Sequence, residues 1–323
     1  MSRLHIARHG VLLVAIFVIP LLPVAAEAQT LITTDSLLNT GSPLKITYDA
    51  PGSGGPVGTV NSSKNASQTL WLIYPNPWGV SSGNGTIEMN YTGAGALVTS
   101  VSLSGLPGGP VDAYPFLLYG CDPYSDCYNG QPPQFPKQLS SMSSLVVDFK
   151  YALTGTIAGA GLNLDVLFDE WVCNSNHPTN TPQCLEVEIL PYYNFPSDGP
   201  SSGGGASFVK TINEPVTLNG AASTFSFDEY IWGQTVLFVP SNGALGLSSG
   251  EIRFNMLDLL TSAVAAYGNN NFSWLAGLEL GTEFGGNSTQ TYTLTLNKLD
   301  LEQTLGAGTS APAPPTNLNA VVK

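Results

Sequence analysis

The chain has 323 residues, a formal net charge of −13 and only 10% charged side chains. Setting aside the first 28 residues, the basic side chains are seven lysines and Arg253, too few to build the cation clusters that bind nucleic acid or an anionic membrane. His177 is the one histidine left; a Ser-His-Asp hydrolase would have to use it, and a catalytic zinc would lack its usual second imidazole. It sits in Asn174-Ser-Asn-His177-Pro-Thr-Asn, a loop composition, and neither metal nor cofactor is expected.

The chain opens on Arg3, His5, Arg8 and His9, continues with an apolar run from Val11 to Val24, and reaches Ala26-Glu27-Ala28. This is the pattern of a secretory signal peptide cut after Ala28. The run falls short of the roughly 20 residues that span a bilayer, and Pro20 and Pro23 interrupt it. A secreted protein without a membrane span is expected, with a signal peptide over 1–28, one domain over 29–305 and a tail over 306–323.

Within the domain, short apolar or alternating runs are separated by Gly, Pro, Ser and Asn clusters. They predict strands over Thr69–Tyr74, Leu97–Leu103, Tyr114–Tyr119, Leu145–Tyr151, Leu162–Phe168, Leu185–Tyr193, Gln234–Val239 and Thr291–Leu296, the pattern of an all-β sandwich or barrel. A single helix is predicted from Asn255 to Tyr267, where Leu257, Leu260, Val264 and Tyr267 line one face. Four cysteines in an exported chain predict two disulfides. Of the three pairings, the local ones are preferred, Cys121 with Cys127 and Cys173 with Cys184. In the tail, Ala307 to Pro315 reads as a linker, and Pro314 to Val322 resembles the opening strand of a fibronectin type III module.

Side chains alternate across a strand, so Leu164, Val166 and Phe168 share an apolar face opposite Asn163, Asp165 and Asp169, while Glu186 and Glu188 lie opposite Val187 and Ile189. Glu279 lies between Leu278 and Leu280. Strand faces that offer carboxylates can hydrolyse a glycosidic bond without metal, one carboxylate attacking or acting as base and the other protonating the leaving oxygen.

Several of these segments resemble family 12 glycoside hydrolases. Glu188-Ile-Leu-Pro-Tyr-Tyr-Asn194 is similar to the family's nucleophile strand E-I-M-I-W-L-N, and Ala276-Gly-Leu-Glu279-Leu280, with Gly285-Gly286, to its acid/base strand A-G-F-E-I-W. Asn76-Pro-Trp78-Gly79 resembles N-x-W-G, Tyr114-Pro to Gly120-Cys121 resembles Y-P-x-x-x-x-G-C, Leu139-Ser-Ser-Met-Ser143 resembles L-S-x-I-S, and Asp165-Val-Leu-Phe168 resembles D-I-W-F. The resemblance implies a jelly-roll β-sandwich of two curved antiparallel sheets with an open cleft, and a retaining endo-β-1,4-glucanase acting on cellulose-like, mixed-linkage or xyloglucan polysaccharide. It assigns Glu188 as nucleophile, Glu279 as acid/base, Asp165 as the carboxylate beside the nucleophile, and Asn76, Trp78, Tyr192, Asn194 and Glu186 to the substrate. Glu186-Val-Glu-Ile is the alternative register for the nucleophile; Glu188 is preferred because it alone places Tyr192 and Asn194 at the family's Trp and Asn. Pro191 departs from the pattern and requires a bulge or a lost ladder bond. The partner expected is β-glucan, met by a monomer. The rival readings are a lectin-like sandwich without turnover and a cell-surface structural protein.

Overall fold

The structure, a computed structural model, describes residues 29–33, 44–53, 71–91, 96–123, 126–127, 134–157, 162–176, 181–195, 200 and 205–306. The expected signal peptide, His177 and the tail from 307 lie outside these residues. In chain order β1 (Gln29–Thr33), β2 (Leu44–Asp49), β3 (Trp71–Tyr74), β4 (Asn84–Tyr91), β5 (Leu97–Ser104), β6 (Phe116–Asp122), β7 (Asp126–Cys127), β8 (Lys137–Gln138) and β9 (Met142–Gly155) come first. Next are β10 (Asn163–Cys173), β11 (Cys184–Asn194), β12 (Ser207–Leu218), β13 (Ala221–Trp232), β14 (Thr235–Pro240) and β15 (Ser249–Asn255), then helix α1 (Met256–Tyr267). β16 (Trp274–Leu275), β17 (Gly277–Gly281), β18 (Phe284–Gly285) and β19 (Thr289–Leu305) complete the domain.

The strands pair in one folded-over ladder. An outer half runs β2, β4, β5, β19, β9, β15, and an inner half runs β13, β14, β11, β10, β17, β6, β3. β12 joins them: Val216–Leu218 pair with β15, while nearly the whole strand pairs with β13. Every pairing is antiparallel except β11 with β14. This is the all-β sandwich expected, with the predicted strands in place; β9, β11 and β19 run beyond their expected bounds at both ends, whereas β3 is described from Trp71 and β6 begins at Phe116 rather than Tyr114. The β12–β13 hairpin was not among them, although its signal is present: Asn219-Gly220 forms a two-residue turn with φ of 49° and 81°, the conformation that favours Asn-Gly in hairpins.

The two halves close on one apolar core. Phe149 of β9 meets Phe168 of β10 edge-on with centroids 4.9 Å apart, and Phe254 of β15 lies 6.0 Å from Phe168. Helix α1 covers one flank of this core with Met256, Leu257, Leu259, Leu260 and Ala263 buried, while Val264 and Tyr267 pack at its border. Asn255 before it makes no side-chain cap to the helix; its Oδ1 instead accepts the Leu145 N–H at 2.9 Å and ties the helix entrance to β9. Its end is set by Gly268 at φ 77°, where the N–H returns to the Val264 carbonyl in a left-handed cap.

The Cys173–Cys184 disulfide forms as expected, between directly opposed residues of β10 and β11. Cys121 is disulfide-bonded and sits opposite Cys127 in the short β6–β7 ladder; the Cys127 side chain lies outside the described residues. Because Phe168 joins both halves, Phe168→Ala is expected to destabilise the fold by about 3–5 kcal/mol, read as a lower urea midpoint at an unchanged slope.

Candidate active-site cleft

Alternation on three adjacent inner strands decides what faces the core and what faces away. On β10, Leu164, Val166, Phe168 and Val172 enter the core, while Leu167 and Trp171 join apolar groups on the outward face. On β11, Val187 and Ile189 point in and Leu190 points out; on β17, Leu278 and Leu280 point in. The complementary positions Asp165, Asp169, Glu186, Glu188, Glu279 and Glu283 line cavities on the outward face. The backbone register sets Asp169 opposite Glu188 and Asp165 opposite Tyr193. Asp165 and Glu283 are locked together: the Asp165 N–H donates to the Glu283 carbonyl at 3.0 Å, and the Glu283 N–H donates to Asp165 Oδ1 at 2.8 Å.

Pro191 produces the bulge foreseen for it. Phe168 pairs with Ile189 and Val166 with Tyr192, so Leu190 and Pro191 together oppose Leu167. The extra residue reverses the alternation beyond it. Tyr192, expected at the substrate, is 2% exposed in the core and its hydroxyl donates to the Ile157 carbonyl. Tyr193 takes the outward position and lines a cavity with Glu188. Asn194 is mostly buried, and its amide donates to the Leu162 carbonyl at 3.1 Å. It borders a side cavity of about 250 Å³ beside Tyr193 and Tyr230, away from the carboxylates.

The outward face holds two cavities with different carboxylates. The larger, about 550 Å³, is lined by Asn76, Trp78, Tyr114, Trp171, Asp169, Glu186, Glu279 and Glu283 among others. The smaller, about 100 Å³, is lined by Asp165, Glu188, Glu283, Tyr193 and Trp232 among others. Glu188 and Glu279, the pair expected from sequence, therefore line separate cavities, whereas Glu283 lines both. Asn76 and Trp78 both line the larger cavity. Trp78 is 64% exposed at the cleft, and Asn76, at φ 36°, accepts the Tyr114 N–H on its carbonyl at 3.1 Å. Glu186 receives a hydrogen bond from the Thr235 hydroxyl on the adjoining strand.

Burial without a counter-charge governs the electrostatics. Among the described residues, Asp165, Asp169, Glu186, Glu188, Glu279 and Glu283 form no ion pair; the two strongest cations, Arg253 and Lys298, are taken up on the outer half by Glu302, Asp148 and Glu251. Burial, then neighbouring carboxylates, pushes Asp165, Asp169, Glu188 and Glu279 well above the usual carboxyl range. Burial and then Glu186 raise Glu283 to about 8. Glu170, fully buried where β10 and β17 separate, accepts the Glu279 N–H on Oε1 at 3.3 Å. Its Oε2, Glu279 Oε1 and Asp169 Oδ1 have no hydrogen-bond partner among the described residues. Such groups are stable as neutral acids and costly as anions.

The comparison with solved structures follows this geometry. A native family 12 xyloglucanase from Bacillus licheniformis superposes with a TM-score of 0.53 at 16% identity, over 73% of this chain and 94% of that one. A metagenome-derived family 12 endoglucanase gives 0.51 at 17% identity, over 87% and 100%. The fold is that of the family 12 glycoside hydrolases. An endoglucanase from Rhodothermus marinus adds a TM-score of 0.50 at 17% identity, over 82% of this chain and all of that one. No protein-family model and no curated protein matches the sequence. At these identities the family 12 fold is shared, and the chemistry has to be argued from this chain's own residues.

Sequence reasoning missed Glu283, Tyr193 and Trp232. Glu283 falls between the matched segment Ala276–Leu280 and the glycine pair Gly285-Gly286, so no motif points to it, although its spacing of two and four from Gly281 and Glu279 places it on the same face. The raised carboxyls also set a pH dependence. A carboxyl raised in the folded state gives its full stability below its unfolded value, 4.5 for Glu283, and loses it as pH rises toward the folded value of about 8. The thermal midpoint should therefore be higher at pH 5 than at pH 8. Glu279→Gln, which replaces one buried acid by a neutral isostere, should reduce that difference in calorimetry across the same range.

Proposed function

We propose that this chain is a secreted, retaining endo-β-1,4-glucanase that cleaves within cellulose-like, mixed-linkage or xyloglucan chains. The observation that carries the reading is one cavity shared by Glu188, Asp165 and Glu283 on the outward face of the inner strands, continuous through Glu283 with the longer cleft. Glu188 is the nucleophile: as the member of the coupled cluster that gives up its proton, it attacks the anomeric carbon as a carboxylate while the proton the cluster keeps rests on Glu283. Glu283 is the acid/base: protonated near neutral pH, it gives its proton to the departing glycosidic oxygen, then takes one from the water that releases the glycosyl-enzyme. Asp165 acts through Glu283, whose backbone it fixes, and its own buried carboxyl disfavours simultaneous ionisation around Glu188.

This assignment moves the acid from Glu279 to Glu283, because Glu279 does not line the cavity of Glu188. Glu279, with Glu186 and Asp169, forms the polar wall of the longer cleft, where hydroxyl-rich sugar units supply donors to the unpartnered Glu279 Oε1 and Asp169 Oδ1. Trp78 offers a flat, exposed ring on which a pyranose C–H face stacks. The resemblance to a family with open clefts suits internal cleavage. The leader at residues 1–28 and the Cys173–Cys184 bond support export to an oxidising compartment.

The test is reducing-sugar release from carboxymethylcellulose, barley β-glucan and xyloglucan. Glu188→Gln and Glu283→Gln should each lower kcat by about 10²–10⁴-fold, with azide restoring turnover of an activated glycoside by Glu283→Ala. Glu279→Gln should stay within about tenfold of wild type. A dead Glu279→Gln beside an active Glu283→Gln would return the acid role to Glu279. Glucan binding without release by the wild type would leave a lectin-like sandwich instead.

A further inference from the structure

The β12–β13 hairpin holds large apolar side chains in water. Phe208 is 56% and Trp232 57% exposed, on an arm whose outer positions have no covering element among the described residues. Exposed edges of this kind are normally blunted with charge, and grouped aromatic exposure marks a binding surface. Here the aromatics are grouped. Phe208 lies directly opposite Tyr230 in the ladder, with ring centroids 5.5 Å apart, and Trp232 follows Tyr230 by two positions and so shares its face.

That face continues into the cleft. Tyr230 pairs with Leu237 of β14, Leu237 with Glu188 of β11, and Glu188 with Asp169 of β10, a single row across the strands. With strands about 4.8 Å apart, Phe208 stands three steps, roughly 14 Å, from Glu188. Trp232 closes the gap, since it lines the Glu188 cavity itself.

We infer that Phe208, Tyr230 and Trp232 form an aromatic platform that stacks the sugar units of a glucan chain lying beyond the carboxylates along this row. A pyranose has an apolar C–H face and a polar rim, so rings that are flat and half-exposed bury the first while leaving hydroxyls hydrated. The occupant is the same chain that fills the cleft, because the platform has no cations for an anionic ligand and is continuous with the carboxylate row. The inference rests on the glucan-hydrolysis reading for its ligand, and binding tests it separately from turnover.

The experiment uses the full chain carrying Glu188→Gln, titrated calorimetrically with cellohexaose and cellotriose. Phe208→Ala and Trp232→Ala, checked for unchanged thermal melting, should each weaken cellohexaose binding by about tenfold and narrow the affinity gap between the two oligosaccharides. Trp232→Phe should retain most of that gap. Unchanged cellohexaose affinity in both alanine variants overturns the platform, as does an equal fractional loss for both lengths, which would place the effect at the central cavity. If the wild type releases no sugar from any glucan yet the length-dependent loss appears, hydrolysis falls and the platform stands. If neither oligosaccharide binds, the platform falls as well.

Discussion

Everything at the site follows from one constraint: three neighbouring strands bury apolar side chains on one face and must then place their alternate residues, many of them acidic, on the other. Phe168, Ile189 and Leu280 anchor the core side, so Asp169, Glu188 and Glu279 have no choice of direction. The inner half of the sheet thereby concentrates carboxylates that no cation neutralises. The group relieves the repulsion by holding protons, which is the property a glycosidase acid needs and a purely structural surface would avoid. Proton uptake in such a cluster belongs to the set of groups, and the proton rests where ionisation is least favoured at that moment.

The bulge at Leu190-Pro191 is the second determinant. Without it, regular alternation would carry Tyr192 to the cleft and Tyr193 into the core. With it, the hydroxyl of Tyr192 ties the core side of β11 to Ile157, and the ring of Tyr193 stands beside Glu188. Pro191 suits the position because it has no N–H to lose, and its carbonyl is used by the Leu247 N–H at 2.8 Å. A local backbone choice thus decides which aromatic ring meets the ligand.

Much of this was legible in the sequence, and the losses have specific causes. Alternation identified the outward carboxylates on β10 and β11, and cysteine spacing identified the Cys173–Cys184 bond, because both are local signals. The bulge was legible as an event at Pro191, but its consequence for Tyr192 and Asn194 was not, since a motif aligned residue by residue assumes that the alternation persists. Glu283 was hidden because it falls between matched segments, and the glycines on either side of it are close-approach positions: a Cβ on Gly281 would lie 2.4 Å from the Pro115 carbonyl, and one on Gly285 2.3 Å from that of Pro110. Such glycines admit a neighbouring strand, which is a tertiary fact that composition does not carry. The β12–β13 hairpin escaped because Ser207–Thr211 and Ala221–Thr224 are exposed on both faces, so no apolar period marks them.

The distribution of charge adds a last constraint on the ligand. Arg253 holds Glu302 through two bonds of 2.8 Å, and Lys298 bridges Asp148 and Glu251, so among the described residues the outer half takes up these cations while the six cleft carboxylates form no ion pair. An anionic polymer entering the cleft would be repelled by any ionised carboxylate and would hold the nucleophile in its protonated, unreactive form. A cationic polymer would be drawn to ionise them and would remove the proton that the leaving group requires. On the proposed reading a neutral polymer does neither: its hydroxyls would donate to the unpartnered Asp169 Oδ1 and Glu279 Oε1, its C–H faces would stack on Trp78, and the acid would stay loaded. In the proposed function the fold offers shape, and the lack of counter-charge among the described cleft residues is what would favour an uncharged polysaccharide.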